Sequence, residues 1–277
     1  MKIQFLGTAA AEGLPALFCT CDLCRKAAAA GEKEIRCRSS VIINDQVLID
    51  LTPDIYYQKQ RWNLDLSRLE ALLVTHSHTD HFDGAELTRR SAADYCKPAW
   101  ERPLQVYANQ KVCGFGRRSL EEEFGKEENP SISFHEIKPF DMLEVCGLKI
   151  TAVPARHDLS EDCLIYIIED RTGRFLYGND TGLLSAAVYD YFGSVPFNLI
   201  SLDCTYGERS ATEPRHMGLP ENQSFLAELE KRGCYGKNTK VYATHFSHNC
   251  GMLQEELEQA GKQYGIHAAY DGLICNF

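Results

Sequence analysis

Short apolar runs that end in polar or turn-forming residues divide the chain into strands and helices. In the first half, these runs predict strands at KIQFLG, SSVIIN, VLIDL, LEALLVT and LQVYA. The second and third strands form a hairpin that turns at Asn44 to Gln46. Wider apolar spacing predicts helices over DIYYQKQRW, which opens at Pro53 or Asp54, and over DGAELTRRSAADY.

The second half of the chain follows the same pattern. Strands are predicted at LKITAVPA, CLIYIIED, RFLYGND, FNLISLD and KVYATH, and the second of these turns into the third at Arg171 to Gly173. Helices are predicted from Leu183 to Tyr191, over PENQSFLAELEKRG and over GMLQEELEQAGKQYG. Two β-rich halves with interposed helices indicate an α/β (α+β) fold of two packed sheets with helices outside. No repeat or long linker interrupts the sequence, so we expect one domain over residues 1–277.

Composition and charge limit the functions that this fold can carry. The 277 residues include 44% apolar and 25% charged residues, which is typical of a globular protein. The apolar runs are too short for a membrane span and the first residues too polar for a signal peptide, so we expect a cytoplasmic protein. A net charge of −10 argues against a broad nucleic-acid surface but allows a small anionic substrate held by local cations or metals.

Twelve cysteines in a reducing compartment favour thiols and metal ligands over disulfides. Three of them, Cys19, Cys21 and Cys24, lie within a loop of about residues 17–25. Thiolates at this spacing are typical of a zinc site that lacks one ligand. A redox pair of Cys21 and Cys24, or a set of free thiols, are the alternatives.

The segment LLVTHSHTDHFDG carries the strongest chemical signal, a His-x-His-x-Asp-His pattern. Its members are His76, His78, Asp80 and His81. Alternate residues leaving a strand point to one side, so the first two imidazoles face one centre. The turn that follows can bring the carboxylate and the third imidazole to a second centre beside it.

Four ligands on one loop cannot complete two metal sites, so other ligands must come from elsewhere. Three candidates each follow a predicted strand and precede a loop: His157 in VPARHDL, Asp180 in FLYGNDTG and His245 in YATHFSH. All three can therefore lie at one edge of a sheet sandwich. Imidazole suits Zn, Fe or Mn, and the carboxylates add hard ligands that tolerate Mn.

This order of motifs resembles the metallo-β-lactamase superfamily over the whole chain. The resemblance implies an αββα sandwich with a dinuclear site of two divalent metals, Mn or Zn or else Fe, at one end. It assigns His76, His78 and His157 to the first metal. It assigns Asp80, His81 and His245 to the second metal, with Asp180 bridging. Two metals of this kind activate a shared water and clamp the oxygens of an in-line displacement.

The segment THFSHNC places a second histidine, His248, three residues after His245. With Cys19, Cys21 and Cys24 it would complete a closed Cys3His structural zinc site. Cys250 is the alternative fourth ligand. Such a site would pin the N-terminal loop to the loop that carries an active-site ligand.

This combination narrows the resemblance to the PhnP-type phosphodiesterases. The segments FLGTAAAEGLPA, NDTGLL, LDCT and YDGLICNF are also similar to that family. The resemblance implies that His216 faces the metals, contacts the substrate phosphate and protonates the leaving alkoxide. Arg215 beside it can help to hold an anion, whereas His135 and His267 have no partner pattern and are interpreted as structural. The segment TYGERSATEPRH departs from the family and can change the substrate preference.

The resulting hypothesis is a metal-dependent hydrolase of small cyclic or nucleotide-like phosphodiesters. A metal-bridging hydroxide would attack phosphorus, with Asp80 and His216 as catalytic residues. The alternatives are a tRNA 3′-processing nuclease, a thioesterase of the glyoxalase type and a PqqB-like accessory protein. Neither an extended nucleic acid nor a membrane is expected as a partner. The sequence does not give the oligomeric state, although a homodimer is the commonest assembly.

Overall fold

In the computed structural model of the protein, residues 1–91, 95–97, 102–125 and 129–277 are described. Within these residues fourteen strands form two sheets. In chain order they are β1 (Lys2–Gly7), β2 (Ser40–Ile43), β3 (Val47–Ile49), β4 (Ala71–Leu73), β5 (Leu104–Ala108), β6 (Ile132–Glu136), β7 (Met142–Val145), β8 (Leu148–Pro154), β9 (Leu164–Asp170), β10 (Gly173–Gly178), β11 (Leu199–Asp203), β12 (Lys240–Thr244), β13 (His267–Ala268) and β14 (Ile274–Asn276).

The two sheets divide the chain close to its middle. The first has the order β14-β1-β2-β3-β4-β5-β6 and the second the order β13-β12-β11-β10-β9-β8-β7. Both sheets are mixed: β3 to β6 run parallel in the first, and β10 to β13 run parallel in the second. The last strand, β14, returns to pair with β1.

Seven α-helices connect the strands within the described residues. They are α1 (Asp22–Ala30), α2 (Ile55–Trp62), α3 (Gly84–Thr88), α4 (Gln110–Phe124), α5 (Ala186–Tyr191), α6 (Leu219–Lys231) and α7 (Gln254–Lys262). Side-chain caps start several of them: Asp83 accepts from the first turn of α3, and Asn109 accepts from Val112 N in α4. Among the described residues no helix combines the length and the apolar character that a membrane span requires.

The core consists of one apolar layer between the sheets and one on each outer face. Strand β9 has a continuously apolar sequence because both of its faces are buried. Tyr166 and Ile168 pack between the sheets, whereas Ile165 and Ile167 pack outward. Helices α5, α6 and α7 cover the outer face of the second sheet, and α2, α3 and α4 cover that of the first. The predicted αββα sandwich of two mixed sheets is confirmed.

Several elements differ from the sequence prediction. Two predicted helices are shorter than expected: α5 begins after Ser185 and not at Leu183, and α7 covers only Gln254–Lys262. The helix predicted over DGAELTRRSAADY is observed only as α3, which ends at Thr88, and residues 92–94 lie outside the described part of the chain. Helices α1 and α4 and strands β6, β7, β13 and β14 were not predicted.

Candidate metal centre and active site

The carboxyl ends of four strands in the second sheet meet at one edge. Strands β10, β11 and β12 run parallel, and β8 has the same direction because both β8 and β10 pair antiparallel with β9. His157, Asp180 and His245 lie just beyond β8, β10 and β12. Loops at this edge therefore bring together side chains that are far apart in sequence.

The first sheet contributes the loop that follows β4. Two hydrogen bonds fix this loop against the second sheet: Leu164 N donates to Thr75 O over 2.9 Å, and Tyr166 Oη donates to Val74 O over 2.7 Å. The loop continues through the His-x-His-x-Asp-His motif. The site is therefore formed where the edges of the two sheets meet.

Of the three groups of potential ligand atoms at this edge, two consist of the predicted metal ligands, and the third consists of Asp180, Asp203, His216 and His245. In the first, His76, His78, His157 and Asp180 offer ligand atoms that all lie within 4.8 Å of one another. Its shortest contact joins His157 Nε2 to His78 Nδ1 at 3.1 Å. His76 Nε2 lies 3.3 Å from Asp180 Oδ2.

The second group has the same compactness and consists of Asp80, His81, Asp180 and His245. His81 Nε2 lies 3.2 Å from Asp80 Oδ2 and 3.0 Å from Asp180 Oδ2. His245 Nε2 approaches Asp180 Oδ2 to 3.6 Å. Asp180 belongs to both groups, and all seven residues predicted as active-site ligands are brought together.

Buried atoms without hydrogen-bond partners test whether these groups fit metal ions. Within the described residues, His76 Nε2, His81 Nε2, His245 Nε2 and Asp180 Oδ1 are buried and make no hydrogen bond. Burying polar atoms unpaired is costly, and imidazole nitrogens with carboxylate oxygens are a donor set for Zn, Mn or Fe. The residues present therefore fit a pair of divalent metals. That they act as ligands stays a prediction.

Three residues at the site adopt a left-handed backbone conformation. Asp50 has φ 65°, Asp180 has φ 52° and His245 has φ 59°. A non-glycine residue pays for this conformation, so such residues cluster where a side chain must be held in an unusual direction. Here the conformation turns each side chain from a strand end into the site.

Asp50 lies behind the second group and was not predicted as a functional residue. Its Oδ2 lies 2.7 Å from His81 Nδ1, and its Oδ1 accepts from Thr75 N over 2.8 Å. The side chain is fully buried. A carboxylate on the outer nitrogen of an imidazole fixes the ring orientation and leaves Nε2 to face the site. The signal in the sequence was an aspartate that ends the apolar run VLID.

Asp203, at the end of β11, supports two histidines from behind. One of its oxygens, Oδ2, lies 3.0 Å from His216 Nδ1 and 3.3 Å from His245 Nδ1. Its other oxygen, Oδ1, accepts from Met217 N over 2.8 Å. Asp203 is fully buried and was also not predicted as a site residue, although it belongs to the segment LDCT.

His216 lies beside both groups, where the resemblance placed it. Its Nδ1 is 3.0 Å from Asp180 Oδ1, and its ring stacks against that of His245 with centroids 5.6 Å apart. Burial lowers the pKa of His216, but the nearby carboxylates of Asp180 and Asp203 outweigh burial and raise it to about 11. The two carboxylates therefore favour the protonated form of this imidazole.

His157 of the first group and His81 of the second have pKa values shifted in opposite directions. Burial lowers the pKa of His157 to about 4, so its ring is neutral and can donate a lone pair. Burial also lowers the pKa of His81, but the carboxylates of Asp80 and Asp50 outweigh it and raise the pKa well above the ordinary value. A metal that binds the second group must therefore displace a proton.

A second cluster lies near the chain start, where Cys19, Cys21, Cys24 and His248 have ligand atoms within 4.8 Å of one another. His248 Nδ1 lies 3.5 Å from Cys24 Sγ and 3.7 Å from Cys21 Sγ. The Cys24 backbone N–H and His248 lower the pKa of Cys21 to about 6, whereas burial raises that of Cys24 to about 11. The Cys3His composition is that of a closed zinc site.

The side chains of the remaining candidates belong to none of these groups, although Arg215 O lies 3.5 Å from His157 Nδ1. Cys250 Sγ contacts Met252 O at 3.9 Å. Arg215 is half-exposed and pairs with Glu213. His135 contacts Gln105 and His267 contacts Glu258, each on the surface of a sheet.

An αββα sandwich with these histidines and aspartates at one edge is the arrangement of the metallo-β-lactamase fold. A family model for the beta-lactamase superfamily domain matches residues 45–246, and the chain belongs to this family. The superfamily membership predicted from the sequence is confirmed.

Individual relatives extend this comparison. An octanoyltransferase of Porphyromonas gingivalis is 27% identical over 280 residues, which cover 99% of this chain and 51% of that protein. The chain therefore spans about half the length of that relative. The crystal structure of a diphosphatase from the PhnP family matches this chain with a TM-score of 0.73 and 26% identity. The match covers 100% of this chain and 97% of the diphosphatase chain. Zn²⁺-bound PqqB from Methylobacterium extorquens has a TM-score of 0.77 and 18% identity, with 100% of both chains covered, and shares the fold.

Proposed function

We propose that this protein is a dinuclear metal-dependent phosphodiesterase. The observation that supports it is the position of Asp180, which belongs to both ligand groups while one of its oxygens lies 3.0 Å from His216. Two adjacent metal positions beside a protonated imidazole are suited to an in-line displacement at phosphorus.

Two divalent metals would be held by His76, His78 and His157 on one side and by Asp80, His81 and His245 on the other, with Asp180 between them. When bound, such metals activate a water molecule and neutralise the charge of the phosphate. The carboxylates of Asp50 and Asp203 orient the ligating imidazoles from behind.

His216 would donate a proton to the leaving oxygen. Asp203 Oδ2 accepts a hydrogen bond from His216 Nδ1 over 3.0 Å. This bond fixes the imidazole ring and leaves Nε2 as the atom that can reach a substrate. Thr205 Oγ1, at 3.2 Å from the same Nδ1, adds a second partner. A histidine that is neutral after this transfer regains its proton from solvent, because the two carboxylates favour the charged ring.

The substrate that we propose is a small phosphorylated molecule, such as a cyclic or nucleotide-like phosphodiester. The net charge of −10 opposes binding of an extended nucleic acid. The 26% identity with a PhnP-family diphosphatase over nearly the full length of both chains favours a phosphate ester or anhydride. The protein would act in the cytoplasm with a structural zinc at Cys19, Cys21, Cys24 and His248.

The first test is hydrolysis of bis(p-nitrophenyl) phosphate by Mn²⁺-reconstituted protein. We expect turnover by the wild type and none above background by Asp80→Ala, because this substitution removes a ligand of the second group. Asp190→Asn serves as a matched control, since Asp190 pairs with Arg232 on the outer surface.

Absence of turnover at full metal occupancy would contradict the proposal. Hydrolysis of a thioester or of precursor tRNA instead would assign the site to another reaction of the family. Metal binding with no hydrolysis of any of these would favour an accessory role of the PqqB kind.

A further inference from the structure

Glu161 is a buried carboxylate that the proposed reaction does not use. It lies four residues after His157, in the loop between β8 and β9, and its side chain is 1% exposed. Carboxylates are rarely buried this completely unless donors surround them. The identity of those donors indicates what this residue does.

The first donors belong to Ser77, between two predicted ligands. Ser77 N donates to Glu161 Oε2 over 3.0 Å, and Ser77 Oγ donates to Glu161 Oε1 over 2.6 Å. Since successive side chains of an extended segment alternate in direction, Ser77 points away from the centre that His76 and His78 face. Glu161 therefore holds the histidine loop from its outer side.

The second donors belong to the start of α4. Asn109 Nδ2 donates to Glu161 Oε2 over 2.8 Å and to Asp162 O over 3.0 Å. Lys111 Nζ donates to Glu161 Oε1 over 3.3 Å. Asn109 is itself fixed, because its Oδ1 caps the helix through Val112 N. One carboxylate thus joins three segments that are distant in sequence.

We propose that Glu161 is a positioning residue that sets the distance between His76 and His78 on one loop and His157 on the other. Glu161 contacts no ligand atom of the first group. It lies in the same loop as His157 and accepts hydrogen bonds from Ser77, which lies in the loop of His76 and His78. Outer partners of this kind fix the geometry that a metal requires. This inference rests on the proposed function only in that the first group holds a metal.

The test is a measurement of Mn²⁺ affinity. Mn²⁺ should bind the histidine and aspartate groups and not the cysteine cluster, because thiolates select softer ions. Glu161→Gln keeps the side-chain volume but replaces one carboxylate oxygen with an NH₂ group. This group cannot accept the hydrogen bonds that Ser77, Asn109 and Lys111 donate. We expect about 10–100-fold weaker Mn²⁺ binding at one of two sites by calorimetric titration. Ser77→Ala removes one of the donors and should weaken the same site less.

The matched control is Glu258→Gln. Glu258 also links two elements, since it accepts from His267 Nδ1 over 2.8 Å and from Ala268 N over 2.7 Å, but it lies near β13. This variant should lose thermal stability and keep the wild-type Mn²⁺ affinity.

Wild-type affinity in Glu161→Gln, or an equal loss in Glu258→Gln, would overturn the inference. Wild-type protein that binds no Mn²⁺ would instead overturn the metal centre itself. Two Mn²⁺ bound without phosphodiester hydrolysis would contradict the proposed reaction and leave the role of Glu161 intact.

Discussion

Asp180 is the residue on which both ligand groups depend. Its carboxylate is 3.3 Å from His76 Nε2 and 3.0 Å from His81 Nε2, and its φ of 52° turns it from the end of β10 into the site. Burial raises the pKa of Asp180, but His245, His216 and the other imidazoles outweigh burial and lower it well below the ordinary value. The carboxylate is therefore ionised at any pH at which the protein would bind metal.

The first residue-scale prediction concerns His216 and the leaving group. In His216→Ala, kcat for a 2′,3′-cyclic nucleotide should fall by about 10²–10⁴-fold, because a ribose alkoxide needs a proton to depart. The decrease for bis(p-nitrophenyl) phosphate should be much smaller, since p-nitrophenolate leaves as a stable anion. Steady-state kinetics with both substrates measures this difference.

His135→Ala is the matched control, because His135 contacts Gln105 on the outside of the first sheet and should leave both rates unchanged. Mn²⁺ content should be the same in all three proteins. Equal losses for the two substrates in His216→Ala would show that the histidine binds phosphate and does not donate a proton.

At the scale of elements, the loop 246–248 connects the two clusters. Phe246 N donates to Thr8 O over 2.9 Å, and Ala10 N donates to Phe246 O over 3.0 Å. Glu12 accepts from Ser247 Oγ and from His248 N, at 2.5 Å and 3.1 Å. Residues 8–12 thereby hold the segment that follows His245, and His248 at the end of this segment belongs to the cysteine cluster.

This connection gives a prediction for Cys24→Ser. Cys24 is buried and the serine hydroxyl is a poor zinc ligand, so the variant should lose about one equivalent of zinc per chain. Mn²⁺ affinity at the second group should fall less strongly, because the segment after His245 loses its link through His248 but keeps its hydrogen bonds to residues 8–12. Elemental analysis and calorimetric titration measure the two effects.

Cys146→Ser is the control, since Cys146 lies in the turn between β7 and β8 and outside the cluster. It should retain zinc and Mn²⁺ affinity. If Cys24→Ser keeps its zinc, Cys250 or another donor replaces the thiolate and the predicted ligand set is wrong.

The elements also show how much the sequence could predict. Strands such as β8, β9 and β10 are apolar on both faces, so the sequence predicts their positions and those of the loops after them. Helix α4 was not predicted because Gly114 and Gly116 interrupt its apolar pattern. The edge strand β7 has alternately exposed residues, and β13 is two residues long, so neither has a distinct pattern.

The same reasoning separates the predicted site residues from the missed ones. The candidate ligands were recognisable because histidines are rare and follow apolar strands. Asp50, Asp203 and Glu161 act through contacts with residues 31, 13 and 84 positions away, and aspartates and glutamates are too common to stand out. Their roles become visible only when the strands are aligned in three dimensions.

At the scale of the whole molecule, the site joins the two sheets. Residues 76–81 follow β4 of the first sheet, whereas His157, Asp180 and His245 follow strands of the second. A metal bound by both sets therefore crosslinks the two layers of the sandwich. Binding that requires the folded state stabilises it in proportion to the logarithm of ligand saturation.

We therefore predict that Mn²⁺ raises the melting temperature of the whole chain. At a concentration of about 100 times Kd, one site contributes about 2.7 kcal/mol. For a chain of this size that corresponds to an increase of roughly 5 °C for one site. Asp180→Asn should abolish most of the increase, because this residue belongs to both groups, whereas the surface variant Asp190→Asn should keep it. Scanning calorimetry with Mn²⁺ and with EDTA measures the difference. A single transition that shifts as a unit would show that the metals hold both sheets, whereas a shift confined to part of the unfolding enthalpy would place them on one sheet only.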